Sequence, residues 1–102
     1  MVYELRQAQS YERWFAKLRD ARMRARVLAR LDLVRLGHFG DCHFIGERVW
    51  ELRLDLGPGY RIYLMRKPGV VVCLSGGDKS TQRKDIARAK AIARKEGAGT
   101  WD

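Results

Sequence analysis

Two arginines and a tyrosine share one face of a predicted β-hairpin. Arg53 lies on the first strand, Arg61 and Tyr63 lie on the second, and a Gly-Pro-Gly turn at residues 57–59 joins them. Because side chains alternate across a strand, leucine and isoleucine fill one face and these three residues take the other. Guanidinium groups bind phosphate through paired hydrogen bonds, and tyrosine can stack on a base. The face is therefore a candidate site for gripping a phosphodiester.

Lys79 stands at a predicted junction between a strand and a helix, just after two glycines at 76–77. A helix N-terminus and a lysine together favour an anion. The segment is not a nucleotide-binding P-loop, because the earlier glycine of that motif is missing and Asp78 interrupts it. Two interpretations stay open: an anion-binding lysine, or a tight glycine turn beside a solvated lysine.

Histidines and cysteines give weaker signals. His38 and His43 flank a short loop whose spacing fits no zinc motif, so we predict no metal site. Histidine exchanges protons near neutral pH, and His43 is a candidate for proton transfer if its strand adjoins Arg53. Cys42 and Cys73 lack zinc or thioredoxin spacing, which predicts buried or half-buried thiols in a reducing cytoplasm.

Charge and length limit the class of function. The chain has 21 Lys and Arg against 12 Asp and Glu, a formal net charge of +9, which favours a polyanionic partner such as nucleic acid but also allows an acidic protein. Its 102 residues suit one domain at 1–96 with a flexible tail at 97–102, and exclude a separate cofactor domain. Neither a signal peptide nor a membrane-spanning run is evident, so we expect a cytoplasmic protein.

Hydrophobic periodicity predicts a strand and two helices in the first third of the chain. The strand covers residues 2–6, and Ser10 is placed to cap the first helix. That helix carries a core-facing stripe of Tyr11, Trp14, Phe15 and Leu18. Asp20 is placed to cap the second helix, and Gly37 to end it. Its predicted apolar side comprises Val27, Leu28, Leu31 and Val34.

The remaining chain predicts an antiparallel meander followed by a helix. The apolar segments lie at residues 44–45, 49–56, 60–65 and 70–74. Short turns containing glycine and proline connect the last three, and the unbroken apolar run at 70–74 indicates a strand covered on both faces. A last helix, capped by Ser80 or Thr81, runs to about Glu96. Its inner side is formed by Ile86, Ala89 and Ala93.

Several motifs together resemble one known group of proteins. They are Trp-Glu-Leu-Arg at 50–53, Gly-Pro-Gly-Tyr-Arg at 57–61, Gly-Gly-Asp-Lys-Ser-Thr at 76–81 and Gly-His-Phe-Gly-Asp at 37–41. With their spacing they resemble the HigB-like, phage Gp49-related branch of the RelE/ParE toxin superfamily over nearly the whole chain. The resemblance implies an α+β fold, with an N-terminal strand and a helical hairpin packed on a curved, mainly antiparallel sheet of about four to five strands, and a C-terminal helix.

The resemblance also implies the toxin of a bacterial type II toxin–antitoxin pair, neutralised by an antitoxin of the helix-turn-helix type. Many relatives are metal-independent endoribonucleases without a cofactor that cut messenger RNA in the ribosomal A site, where ribosomal RNA is a further partner. The ParE group instead inhibits DNA gyrase. We expect the endonuclease activity, with a gyrase inhibitor and an inactive phage-derived remnant as alternatives.

In the nuclease, the 2′-hydroxyl of the message attacks the adjacent phosphate, which requires a base, an acid and cations. The resemblance assigns phosphate stabilisation to Arg61 and Arg53, and assistance of the leaving oxygen or the phosphate to Lys79. A tyrosine that relatives carry in the last helix is absent here, so Tyr63 and Asp85 are the candidate acid or base. We assign RNA binding to Tyr60, Arg66, Gln82, Arg83 and His43.

Overall fold

The structure, a computed structural model, describes residues 2–97 of the chain. Within that range the chain forms five strands and three α-helices. In chain order they are β1 (Glu4–Gln7), α1 (Gln9–Ala16), α2 (Ala21–Arg35), β2 (Cys42–Gly46), β3 (Val49–Arg53), β4 (Arg61–Lys67), β5 (Val70–Gly77) and α3 (Gln82–Gly97). A short 3₁₀ turn at Lys79–Thr81 leads into α3. No helix within residues 2–97 is long and apolar enough to cross a membrane.

The strands form one sheet in the order β1-β5-β4-β3-β2. Strands β2 to β5 make an antiparallel meander, and β1 pairs in parallel with β5. The predicted α+β fold, with its mainly antiparallel sheet and C-terminal helix, is confirmed.

Helices cover both faces of the sheet. On one face, α1 and α2 pack against Leu52, Ile62 and Leu64, in a core that also contains Val71 and Cys73 of β5. On the other face, α3 packs Ala89 and Ala93 against a second core that contains Tyr63, Met65, Val72 and Leu74. Strand β5 therefore contributes to both cores, as its unbroken apolar sequence predicts.

Helix starts differ from the sequence prediction where tertiary contacts decide them. The first helix begins at Gln9 with Ala8 as its N-cap, not Ser10, because the Ala8 amide donates to the Cys73 carbonyl and fixes the chain entry. The last helical segment is capped by Asp78 rather than by Ser80 or Thr81, since the Asp78 carboxylate accepts from the Ser80 amide.

The second helix follows its prediction more closely. Asp20 caps it by accepting from the Arg22 amide, and Gly37, with φ of 91°, ends it. Leu28, predicted on the apolar side, is 47% exposed, because it lies about 100° around the helix from Val27.

Two further bounds were wrong. The predicted strand at 49–56 ends at Arg53, and the chain then bends so that the Leu54 amide donates to the Tyr60 carbonyl. Gly97, predicted as the first residue of a flexible tail, is the last residue of α3. The rest of that tail lies outside the described residues.

Gly76 allows the ring of Trp14 to lie directly against β5. A Cβ atom at Gly76 would lie 2.3 Å from Cε3 of Trp14, far inside van der Waals contact. The ring of Trp14 also contacts Tyr60 edge-on at 5.8 Å between centroids. The close approach of backbone to indole explains why glycine stands here.

We expect Gly76→Ala to lower the free energy of unfolding by about 1–3 kcal/mol through overpacking, measured by urea denaturation. In a Trp14→Leu background the ring is gone and the same substitution should cost much less. An equal cost in both backgrounds would show that Trp14 is not what excludes a side chain at this position.

Candidate active site

Three predicted cations meet in a cleft of about 310 Å³ at one end of the sheet. Arg53 of β3 and Arg61 of β4 are opposite each other in the strand register, and Lys79 joins them from the turn after β5. The Lys79 amide approaches the Pro58 carbonyl at 3.4 Å, which ties that turn to the β3–β4 loop. Gly59 lies against the side chains of Arg61 and Lys79, and a Cβ atom at this position would lie 3.2 Å from Nη1 of Arg61.

Arg61 is the most firmly held of the three cations. Its side chain is only 11% exposed, and Nη1 donates to the Gly59 carbonyl at 2.7 Å. Its Nε atom is buried without a hydrogen-bond partner. Arg53 is 44% exposed and Lys79 is exposed, so these two can move toward a ligand while Arg61 stays in place.

A carboxylate that the sequence reasoning missed lies beneath the arginines. Glu51 is 1% exposed; Nε of Arg53 donates to Oε1 at 2.8 Å, and Nε2 of Gln82 donates to Oε2 at 2.7 Å. Nε of Arg61 lies 3.6 Å from Oε2. Burial opposes ionisation of Glu51, but the hydrogen bonds from Arg53 and Gln82 and the charges of both arginines outweigh it and lower the pKa. Glu51 therefore stays an anion that anchors the arginines.

Tyr63 lies on the predicted face but is not open to solvent. It is fully buried beneath α3, and its hydroxyl faces Oε2 of Glu51 at 3.4 Å. Burial, and then the negative charge of Glu51, raise the pKa of the phenol, so it stays protonated and does not act as a base. The expectation of an exposed tyrosine was wrong, because strand alternation does not reveal that a helix covers that face.

His43 and Asp41 form a hydrogen-bonded pair at the rim of the cleft. Asp41 lines the cleft, and its backbone carbonyl accepts from the Arg53 amide at 2.9 Å. His43 is half-exposed and is opposite Glu51 in the register, so its strand adjoins β3. The hydrogen bond from His43 is the main cause that lowers the pKa of the Asp41 carboxyl. On α2, Arg30 donates to the carbonyls of both Asp41 and Arg53 and fixes this corner.

Other predicted site residues lie away from the three cations or have a different contact. Asp85 is 6% exposed, accepts from the Thr81 hydroxyl, and lines a different cleft. Arg66 is about 16 Å further along β4 than Arg61, and its guanidinium packs on the Phe39 ring at 3.8 Å.

The other residues assigned to RNA binding have different surroundings. Tyr60 is half-buried against Trp14, Arg83 is exposed on α3, and Gln82 is a partner of Glu51. Within residues 2–97 no three His, Cys, Asp or Glu side chains converge to hold a metal ion. Cys73 is buried and Cys42 is half-buried, both as free thiols, as predicted.

The fold is that of a RelE-type toxin: two N-terminal helices and a C-terminal helix pack on a five-stranded sheet. Cations gather at one end of this sheet. The structure superposes on a double mutant of the Escherichia coli toxin RelE in the free state with a TM-score of 0.67, at 19% identity, over 86% of this chain and 98% of that one. The RelE-like fold that the resemblance implies is thereby confirmed.

Sequence comparison gives the family. The profile described as "Phage derived protein Gp49-like" matches residues 13–96, and the chain belongs to that family. An uncharacterized protein of Haemophilus influenzae is 41% identical over 98 residues, which cover 95% of this chain and 99% of that protein. Family and fold together support a toxin.

Proposed function

We propose that this chain is the toxin of a bacterial type II toxin–antitoxin pair and acts in the cytoplasm as a ribosome-dependent, metal-independent messenger-RNA endonuclease. One observation carries the proposal: Arg53, Arg61 and Lys79 converge in a cleft above a buried carboxylate, Glu51. The net charge of +9 and the family resemblance support an RNA target.

The cations supply the electrostatic part of the reaction. When the 2′-oxygen attacks the phosphorus, negative charge grows on the phosphate oxygens, and fixed cations nearby stabilise it. Arg61 is already held in place by the Gly59 carbonyl, so it needs little reorganisation. Arg53 and Lys79 close on the phosphate from either side.

Glu51 is the proposed proton acceptor for the 2′-hydroxyl. In the free protein the charges of Arg53 and Arg61 stabilise the ionised carboxylate of Glu51 and help to lower its pKa. A phosphate that takes up both guanidinium groups weakens these contacts and makes the carboxylate a stronger base. Catalytic contacts often form only when substrate binds. The burial of Glu51 in the free protein is therefore compatible with its role as the base.

His43 is the proposed proton donor to the leaving 5′-oxygen. It lies next to Asp41 on the cleft rim, and a carboxylate partner orients an imidazole for proton transfer. The balance is then complete: the 2′-oxygen bonds to phosphorus, the bond to the 5′-oxygen breaks, Glu51 takes a proton and His43 gives one. The products are a 2′,3′-cyclic phosphate and a 5′-hydroxyl.

The same geometry supports the proposed dependence on a ribosome. Arg53 and Gln82 cover the carboxylate of Glu51 in the free protein. A substrate must therefore be held in position long enough to displace them. A translating ribosome presents the message in that way. The proposed antitoxin, of the helix-turn-helix type, would neutralise the toxin when bound.

The proposal is tested with purified protein and three substrates: ribosomes programmed with a message, the same message alone, and relaxed plasmid with DNA gyrase. We expect cleavage on the programmed ribosomes, little on the free message, and normal supercoiling. Loss of supercoiling without message cleavage would replace the endonuclease by a gyrase inhibitor. Inactivity in all three would favour an inactive remnant.

A further inference from the structure

A second polar cleft, of about 240 Å³, lies between α1 and α3 at the end of β5. Its wall includes Gly77, Asp78 and Thr81, the same short segment that carries Lys79 into the first cleft. The two clefts therefore adjoin the same turn. None of the five residues with a role in the proposed reaction, which are Glu51, Arg53, Arg61, Lys79 and His43, lines the second cleft. Asp85, a candidate acid or base from the sequence, does line it.

Three cations line this second cleft. Arg13 lies on α1, Lys17 is the C-cap of that helix one turn later, and Arg88 lies on α3. Within residues 2–97 none of these three side chains makes an ion pair or a hydrogen bond, in contrast to Arg53, which Glu51 holds. Two carboxylates also line it: Asp85, which is 6% exposed and accepts from the Thr81 hydroxyl, and Asp78, which accepts from the amide and the hydroxyl of Ser80. Three cations against two carboxylates leave the lining with one net positive charge. The net result is a concave surface that attracts an anion.

Trp14 supplies a fixed aromatic wall beside these cations. Its ring lies against the backbone of Gly76 and is braced by the edge of Tyr60, so it has little freedom to turn away. Tyr60 directly follows Gly59, which lines the first cleft. Aromatic side chains next to cations are the usual combination for single-stranded nucleic acid, because the ring contacts a base and the cations contact phosphate.

We infer that this second cleft binds a nucleotide of single-stranded RNA next to the nucleotide that is cut. Arg13, Lys17 and Arg88 bind its phosphate, and Trp14 contacts its base or ribose. The inference rests on the proposed function for its substrate, but binding in this cleft is measured separately from cleavage. The RNA in the cleft comes either from the message or from the ribosome.

The test uses a short single-stranded RNA with every 2′-hydroxyl methylated, which binds but cannot be cut, and measures affinity by fluorescence anisotropy at several salt concentrations. The test variant is the triple substitution Arg13→Ala, Lys17→Ala and Arg88→Ala. The control is Arg22→Ala, Arg26→Ala and Arg35→Ala, which removes the same charge from exposed positions on α2. Urea denaturation verifies that both triple variants fold.

We expect the test variant to bind at least tenfold more weakly than the control. The slope of its affinity against salt concentration, both on logarithmic scales, should be shallower by about 0.7 for each phosphate that the protein no longer neutralises. Equal weakening in both variants would overturn the inference, because net charge alone would then explain it. Since the probe cannot be cut, a failure to cut message leaves this result unaffected.

The source of the RNA is found by repeating the measurement with ribosomes that carry the methylated message and with vacant ribosomes. Weaker binding by the test variant only in the presence of message would place message in the cleft. Equally weaker binding to both would place ribosomal RNA there.

Discussion

Arg61→Gln is expected to slow message cleavage on programmed ribosomes by about 10²–10³-fold, the usual cost of removing one fixed group that stabilises transition-state charge. Arg61 is 11% exposed and is held by the Gly59 carbonyl, so it is the one of the three cations that is fixed in place before substrate binds. Single-turnover cleavage rates, with protein in excess over programmed ribosomes, give the number.

The matched control for this prediction is Arg94→Gln. Arg94 also forms an ion pair with a glutamate, Glu47, but it lies on the exposed side of α3 outside both clefts. The control should cut at the wild-type rate. A variant lacking Arg61 that cuts as fast as the control would show that the cleft is not the catalytic site.

Glu51→Gln is expected to lower the cleavage rate by about 10²–10⁴-fold, the range for removal of a general base, with little change in affinity for the methylated RNA. The substitution keeps the shape of the side chain and removes its charge. If affinity and cleavage rate fell together by the same factor, Glu51 would act only by positioning Arg53 and Arg61.

The same variant has a stability signature that depends on pH. Because the folded protein lowers the pKa of Glu51 below its ordinary value of 4.5, the ionised carboxylate stabilises the fold above that value. At pH 7 the variant should be less stable by about 1–3 kcal/mol, since it lacks the hydrogen bonds to a charged group. This difference from wild type should shrink as the pH falls through the folded pKa, as urea denaturation at pH 7 and below pH 4 would show.

The sequence predicts the phosphate-binding part of the site because that part depends on local rules. Alternation along a strand places Arg53 and Arg61 on one face, and the Gly-Pro-Gly turn makes their strands neighbours. Their direct pairing comes from the bend after Arg53, which the sequence does not predict. Asp20 and Gly37 bound the second helix for equally local reasons.

The proposed proton-transfer groups depend on contacts between distant segments, so the sequence suggests His43 but not Glu51 or the partners that position them. Glu51 has the same strand parity as Arg53, a signal that was present, but its burial requires Gln82 from α3 to lie above it. Tyr63 is hidden by the same helix. Asp41 lines the cleft, with His43 beside it, because β2 pairs with β3.

We propose that this chain cuts translated messages in the cleft that Arg53, Arg61 and Lys79 line. The most direct measurement maps 5′-hydroxyl RNA ends across all messages after the protein is induced without its antitoxin, in parallel with the Arg61→Gln variant. We expect new 5′-hydroxyl ends inside translated coding regions for the wild type and almost none for the variant. Growth arrest by the wild type with no new ends would contradict it.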